Sequence, residues 1–178
     1  DDEDRTTELD WREGREADGF FEDMLSAQQN AGWNRELMSD AVCDALGIDP
    51  VDRFQSVHNL IDFTDLTIRK GSTPARDGQR VLIPFNMADG SIIARGKGND
   101  DWHQTAPHGA GRRMGRRDAH ERLNEKEVEE SMKNVYTEHI PIDEAPAAYK
   151  NASKILDNIT QTVEPLERLQ PIHNLKAE

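Results

Sequence analysis

The hydrophobic period changes once, sharply, near residue 50, and that change constrains the fold more than any other feature of the chain. Over residues 20–46 the apolar side chains Phe20, Phe21, Met24, Ala27, Ala31, Leu37, Met38, Ala41, Val42 and Leu46 fall largely at three- and four-residue spacings, the repeat of one helical face. One long helix, or two joined near Gly32, is expected there, with Gly47 as its C-terminal cap and Asp49-Pro50 opening a loop. From Phe54 to Gly98 the texture becomes short β-rich runs, SVHNLIDF, DLTIRKG, RVLIPF and SIIARGKG, with ARDG and MADG as turns between them. Helical spacing returns over residues 118–135, and a further helix is expected from 147 to about 163; LQPIHNL reads as a short strand or an extended tail docked on the core. The expectation is an α+β fold, with a mixed or antiparallel sheet over about residues 54–98 flanked by helices.

A chain of 178 residues suits one compact domain with a tail better than two of ordinary size. Its net charge of -13 argues against a nucleic-acid partner, since phosphate binding needs clustered cations. The distribution weakens that objection: residues 1–23 hold 11 acidic and 3 basic side chains. The domain division expected is an acidic flexible segment over residues 1–18 and a folded part over 19–178. Cys43 is the only cysteine, so no intramolecular disulfide forms, and no signal peptide or run of eighteen apolar residues is present. A cytoplasmic location with no membrane partner is expected. The chain opens at Asp1 inside a charged run without an initiator Met, and a trimmed or partial polypeptide is expected.

The chemistry concentrates in APHGAGRRMGRR, residues 106–117. Glycines there expose N–H groups that can cradle phosphate oxygens, arginines supply cationic forks, and a neutral imidazole is a competent nucleophile toward phosphorus. These residues alone leave two readings open: His108 handles phosphate, or a glycine-rich turn leads into a basic helix face. His58, followed by Asn59 in SVHNLIDF, is either a ligand for a borderline divalent metal or an ordinary histidine at a strand end. RKGSTPA (69–75) and RGKGNDDW (95–102) put cations beside glycine, a pattern shared by phosphate contacts and by solvated turns.

Taken in order, EDMLSAQQNAGWNREL, VHNLIDF, RKGSTPA, LIPFNMADGS, ARGKGNDDW, APHGAGRRMGRRDA, IDEAPAAYK and PIHNLKAE resemble the C-terminal half of the RtcB-family RNA-splicing ligases, over about residues 20–178. The resemblance implies an RtcB-like fold, in part, and a GTP- and Mn2+-dependent ligase of tRNA splicing and RNA repair. Such an enzyme joins RNA ending in a 2',3'-cyclic phosphate or 3'-phosphate to RNA bearing a 5'-hydroxyl. By position, it makes His108 the residue that becomes guanylylated and His58 a metal ligand, with Asn59 contacting the nucleotide. Pro84, Phe85, Asn86 and Met87, with Ser91, correspond to the loop lining the guanylate site, and Gly109, Ala110 and Gly111 to backbone around its phosphate. Lys176 corresponds to the near-terminal lysine that recognises guanine, and Tyr149 to a ring against the base. Arg69, Lys70, Arg112 and Arg116 are the candidates for RNA or triphosphate contacts.

Two departures accompany the resemblance. Pro84-Phe85-Asn86-Met87 stands where many members have Pro-Gly-Ser-Met, so Asn86 replaces a serine contact. The family's other metal ligands lie in an upstream half, outside the matching region, and two Mn2+ ions would need those donors from a separate N-terminal half. Apolar surface left uncovered on this lobe is a further expectation. The alternative function is a non-catalytic truncated homologue that binds guanine nucleotide or RNA.

Overall fold

The computed structural model describes residues 13–175. The acidic stretch 1–12 and Lys176 therefore lie outside the described residues. The chain divides into two compact units, residues 1–52 and 53–178.

The first unit is a single helix, α1 (Arg15–Leu46), unbroken at Gly32. It begins inside the stretch expected to be flexible: Arg15 to Asp18 form its first turn, where Glu16 and Asp18 favour the positive end of the helix dipole. It ends as expected. Gly47 takes the left-handed conformation (φ 64°), and its N–H and that of Ile48 return to the carbonyls of Asp44 and Cys43. None of the residues of α1 is buried, and Phe20, Phe21, Leu25, Trp33, Leu37, Met38, Val42 and Leu46 are exposed. The expected uncovered apolar surface is present.

The second unit is built on an antiparallel sheet of β4 (Arg80–Asn86), β5 (Gly90–Gly96) and β8 (Val163–Leu169), in the order β4-β5-β8. Strict alternation in β4 buries Val81, Ile83 and Phe85 and turns Arg80, Leu82 and Pro84 outward, as period two requires. Ile92 and Ala94 of β5, with Ala75, Ala106, Ala110, Ala152, Ile159 and Val163, complete the core; each large aliphatic or aromatic side chain buried there contributes roughly 1.5–3 kcal/mol. Two antiparallel hairpin-like pairs lie beside it: β1 (Asn59–Asp62) with β2 (Thr67–Lys70), and β3 (Ser72–Pro74) with β6 (Thr105–Pro107). A parallel pair, β7 (Tyr136–Thr137) with β9 (His173–Asn174), makes the sheet content mixed. The α+β class is therefore correct, and the docked strand expected in LQPIHNL is β9.

The later helices differ from expectation. Residues 118–135 hold two short helices, α2 (Arg116–Arg122) and α3 (Glu125–Ser131). Asn124 divides them: its side chain accepts from the Lys126 N–H and caps α3, which a continuing helix could not provide. The helix expected over 147–163 is confined to α4 (Ala152–Asn158), capped by Asn151. Val163, expected at its end, opens β8 instead. That strand runs along β5 with a register shift between Ile93 and Ala94, opposite Pro165; an outer strand tolerates proline at such an irregularity.

Candidate active site

Three short segments hold His108. β6 delivers it: Pro107 pairs with Ser72, and the next residue is the histidine. Gly71, which joins β2 to β3, places its carbonyl oxygen 2.6 Å from His108 Nδ1. A carbonyl only accepts, so Nδ1 carries the hydrogen and donates. The Nε2 lone pair is then free when the ring is neutral. The Gly71 N–H in turn donates to the His58 carbonyl at 2.9 Å, and the His58 ring lies 4.5 Å from that of His108, centroid to centroid, tilted by 31°. The two histidines singled out from sequence, 50 residues apart, are neighbours.

Beyond His108 the chain runs along a cavity of about 540 Å³ lined by Pro84, Phe85, Asn86, Met87, His108, Gly109, Ala110, Gly111, Arg112, Glu144, Tyr149 and Asn174. The Ala110 N–H donates to the Pro84 carbonyl at 3.0 Å, stitching the glycine loop to the end of β4. A Cβ on Gly109 would stand 2.8 Å from that carbonyl oxygen, so only glycine fits this approach. On the far wall the Lys150 N–H donates to the Gly111 carbonyl and the Arg113 N–H to that of Ala148. This local pairing sets the Arg112 guanidinium 5.2 Å from the centre of the Tyr149 ring, within cation–π range.

The residues expected to meet nucleotide divide into three groups. Pro84 to Met87, Gly109 to Gly111, Tyr149 and His108 all line the cavity. Their roles differ from the expectation in two places. The Phe85 side chain points into the core. The Asn86 amide is engaged in the β4–β5 turn, where its oxygen accepts from the N–H groups of Ala88 and Asp89 and its nitrogen donates to Asp89. Asn59 and His58 are exposed at the start of β1. Ser91 stands opposite Pro84 on β5 and is not among the cavity-lining residues.

Among the candidate cations, Lys70 is exposed. Arg112 lines the cavity, donating to the carbonyls of Asp143 and Met114 and pairing with Glu144 at 3.4 Å. Arg116, with a side chain 71% exposed, pairs with Asp143 at 2.7 Å and Glu144 at 3.4 Å. Arg69 corrects the sequence reading: it is 2% exposed and its guanidinium is enclosed by Asp62 and Asp65, so it cannot meet RNA or triphosphate.

Two cavity residues escaped sequence analysis. Glu144 accepts the hydroxyl proton of Tyr149 and faces both Arg112 and Arg116; burial, then the Glu144 hydrogen bond and charge, raise the Tyr149 phenol above its ordinary value. Asn174 donates to the Met87 carbonyl at 2.9 Å. Both sit in segments singled out for resemblance, but nothing in one-dimensional spacing tells that a glutamate will face a tyrosine five residues on across a bend.

For manganese the donor set decides. Among the described residues, no group of three or more His, Cys, Asp or Glu side chains is arranged to hold a metal ion. His58 and His108 together fall short of the shell a transition metal requires. The described residues alone do not fit a two-metal site.

A sequence model of the family described as "tRNA-splicing ligase RtcB" matches residues 7–177. This chain belongs to the RtcB family. It is 29% identical over 186 residues to the RNA-splicing ligase RtcB of Escherichia coli (strain K12), covering 89% of this chain and 44% of that protein. It is also 29% identical over 182 residues to the tRNA-splicing ligase RtcB of Aeropyrum pernix, covering 79% of this chain and 37% of the relative. The chain thus spans less than half the length of these curated RtcB relatives. No helix among the described residues is long and apolar enough to cross a membrane.

Proposed function

We propose that this RtcB-family chain is the nucleophile-bearing part of a GTP-dependent RNA ligase, acting on RNA with a 3'-phosphate or 2',3'-cyclic phosphate and RNA with a 5'-hydroxyl. The observation that carries it is the hydrogen bond from His108 Nδ1 to the Gly71 carbonyl at the mouth of the glycine-loop cavity. It leaves Nε2 as the available lone pair beside backbone suited to phosphate.

In this scheme Nε2 attacks the α-phosphorus of GTP; the N–P bond forms as the bond to pyrophosphate breaks. A terminal oxygen of the RNA 3'-phosphate, produced where the end is a 2',3'-cyclic phosphate by water opening the ring at the P–O2' bond, then attacks the same phosphorus, forming an O–P bond as the N–P bond to His108 breaks. The 5'-hydroxyl finally attacks the RNA phosphorus and GMP leaves. A 3'-phosphate is a poor electrophile until it carries such a leaving group, so a covalent nucleotidyl step is chemically sensible. Gly109 to Gly111 place backbone along the nucleotide phosphate and Tyr149 offers its ring to the base; Lys176, outside the described residues, is the candidate for recognising guanine. Of the described residues, His58 is the donor that would hold manganese, which would supply charge neutralisation at the phosphates; the further donors would come from an N-terminal half, in a longer form of this chain or in a separate polypeptide.

The test is the intact mass of the chain after incubation with GTP and Mn2+, with and without a separately expressed N-terminal half from a related ligase. The expected result is an acid-labile adduct of GMP mass that disappears in His108→Ala and depends on the added half. A folded sample that gains no adduct under either condition rejects ligase chemistry in favour of a binding-only homologue.

A further inference from the structure

Arg69, displaced from the substrate side by its burial, has another use. Its Nη1 donates to Asp62 at 2.9 Å and to Asp65 at 3.1 Å, and its Nη2 to the other Asp65 oxygen at 2.8 Å. These contacts close the β1–β2 hairpin on itself. The remaining two run elsewhere: Nε donates to Thr105 Oγ1 at 3.2 Å and Nη2 to the His103 carbonyl at 3.3 Å, both at the entry to β6. The Thr105 hydroxyl donates to the same carbonyl at 2.9 Å. One planar fork therefore ties two segments together, a geometry that lysine cannot copy.

The segments it ties are the two that meet at His108. Two residues after Arg69, Gly71 offers the carbonyl that holds Nδ1; three residues after Thr105 comes the histidine itself. The backbone pairing between them is short: the three-residue β3–β6 ladder, Ser72↔Pro107, Thr73↔Ala106 and Pro74↔Thr105, and one further bond from the Ala75 N–H to the Gln104 carbonyl at 2.7 Å. Two of the ladder's six residues are prolines without an N–H to donate. The approach to β6 is also strained, since His103 and Gln104 both have φ of 49°, a region non-glycine residues seldom adopt. Beside so short and proline-bearing a ladder, the side-chain bridge from Arg69 to Thr105 and His103 is a second tie between the two segments.

We propose that Arg69 is a positioning residue for His108: by joining the β1–β2 hairpin to the start of β6 it holds the Gly71 carbonyl on Nδ1 and fixes His108 in the tautomer that presents Nε2. The orientation stands on geometry alone; its consequence for rate rests on the ligase reading of His108.

The experiment uses the full chain labelled with 15N in its histidine rings, with the His108 signals identified by their loss in His108→Gln. Thr105→Val removes the acceptor for Nε while the two aspartates stay in place; Thr105→Ser restores the hydroxyl. Arg69→Lys is the second disruption, keeping a cation near Asp62 without the reach to Thr105 and His103. Wild type and Thr105→Ser should show a single neutral tautomer protonated on Nδ1. Thr105→Val, or Arg69→Lys should Thr105→Val not fold, should move the His108 nitrogen signals toward the tautomer average of a free imidazole, other histidine signals staying put. In the presence of the N-terminal half, the rate of adduct formation should fall about tenfold or more with little change in the GTP concentration for half-maximal rate, since misorientation acts on the reacting geometry. Folded variants that keep the wild-type His108 signals overturn the proposal. Signals that shift as stated in a protein that never forms an adduct uphold the positioning role and reject the ligase reading.

Discussion

The carbonyl oxygen of Pro84, the last outward-facing residue of β4, receives the Ala110 N–H at 3.0 Å and leaves 2.8 Å for any Cβ on Gly109. Contact this close means the glycine loop cannot accept a side chain at its second position without parting from the sheet. Gly109→Ala should lower stability by roughly 1–3 kcal/mol, the usual cost of forcing atoms into a packed site, and cut guanine-nucleotide affinity more than tenfold. Gly111→Ala is the control: nothing lies within 4 Å of its Cβ, but φ is 68°, so about 1–2 kcal/mol of backbone strain is expected with the Pro84 contact intact. Thermal melts paired with GTP titrations distinguish the two.

Glu144 faces Tyr149, Arg112 and Arg116 at once. Replacing it with alanine leaves the phenol without its acceptor, so the Tyr149 pKa should drop toward the ordinary tyrosine value, because two of the causes that raise it, the Glu144 hydrogen bond and its charge, have been removed. Phenolate absorbance in a Tyr136→Phe background isolates this titration, Tyr136 and Tyr149 being the two tyrosines of the chain. Glu144→Gln, which keeps an acceptor without the charge, should fall between wild type and alanine.

The β1–β2 hairpin should make the fold acid-sensitive. Side-chain hydrogen bonds from Arg69, then Thr67, hold Asp65 well below the carboxylate range despite opposing desolvation. At Asp62, burial pushes upward but the Arg76 and Thr64 hydrogen bonds outweigh it, and the net direction is again down. A depressed folded pKa means the unfolded chain takes up protons first as pH falls. The stabilisation is thus complete above the unfolded value near pH 4 and declines as acid carries the solution through the folded values. Melting temperature followed from pH 7 to pH 2.5 should fall below about pH 4, and Asp65→Asn should be destabilised most at neutral pH and converge on wild type in acid. Parallel curves would remove Asp65 from the account.

Arg116 is an exposed cation paired with Asp143 and with the cavity residue Glu144. Arg116→Ala should weaken binding of RNA bearing a 3'-phosphate and reduce the slope of log affinity against log salt by about one, without a change in melting temperature. Anisotropy titrations at three salt concentrations supply both quantities.

How far the sequence reached is clearest at individual positions. His58 and His108 stood out as individual residues, but their neighbouring rings 4.5 Å apart, centroid to centroid, could not be read from spacing; RVLIPF was legible because alternation is a local signal. Arg69 was misjudged because a cation beside glycine looks the same whether it faces solvent or two aspartates; only the antiparallel pairing of Ile61 with Ile68 and Asp62 with Thr67 brings those carboxylates to it. VEPLERL was missed as a strand since its partner, 70 residues earlier, supplies the pairing while its own side chains stay mostly exposed. Asn124 did carry a readable cap signal, an asparagine ahead of Glu125-Lys126-Glu127, and helical periodicity on either side hid it.

Asn174 grips Met87 across 87 residues of intervening chain, and with it comes an order of assembly. During synthesis the β4–β5 hairpin and the glycine loop are made well before β9 exists, so the cavity between them would stay without the wall that Asn174 supplies until β9 docks.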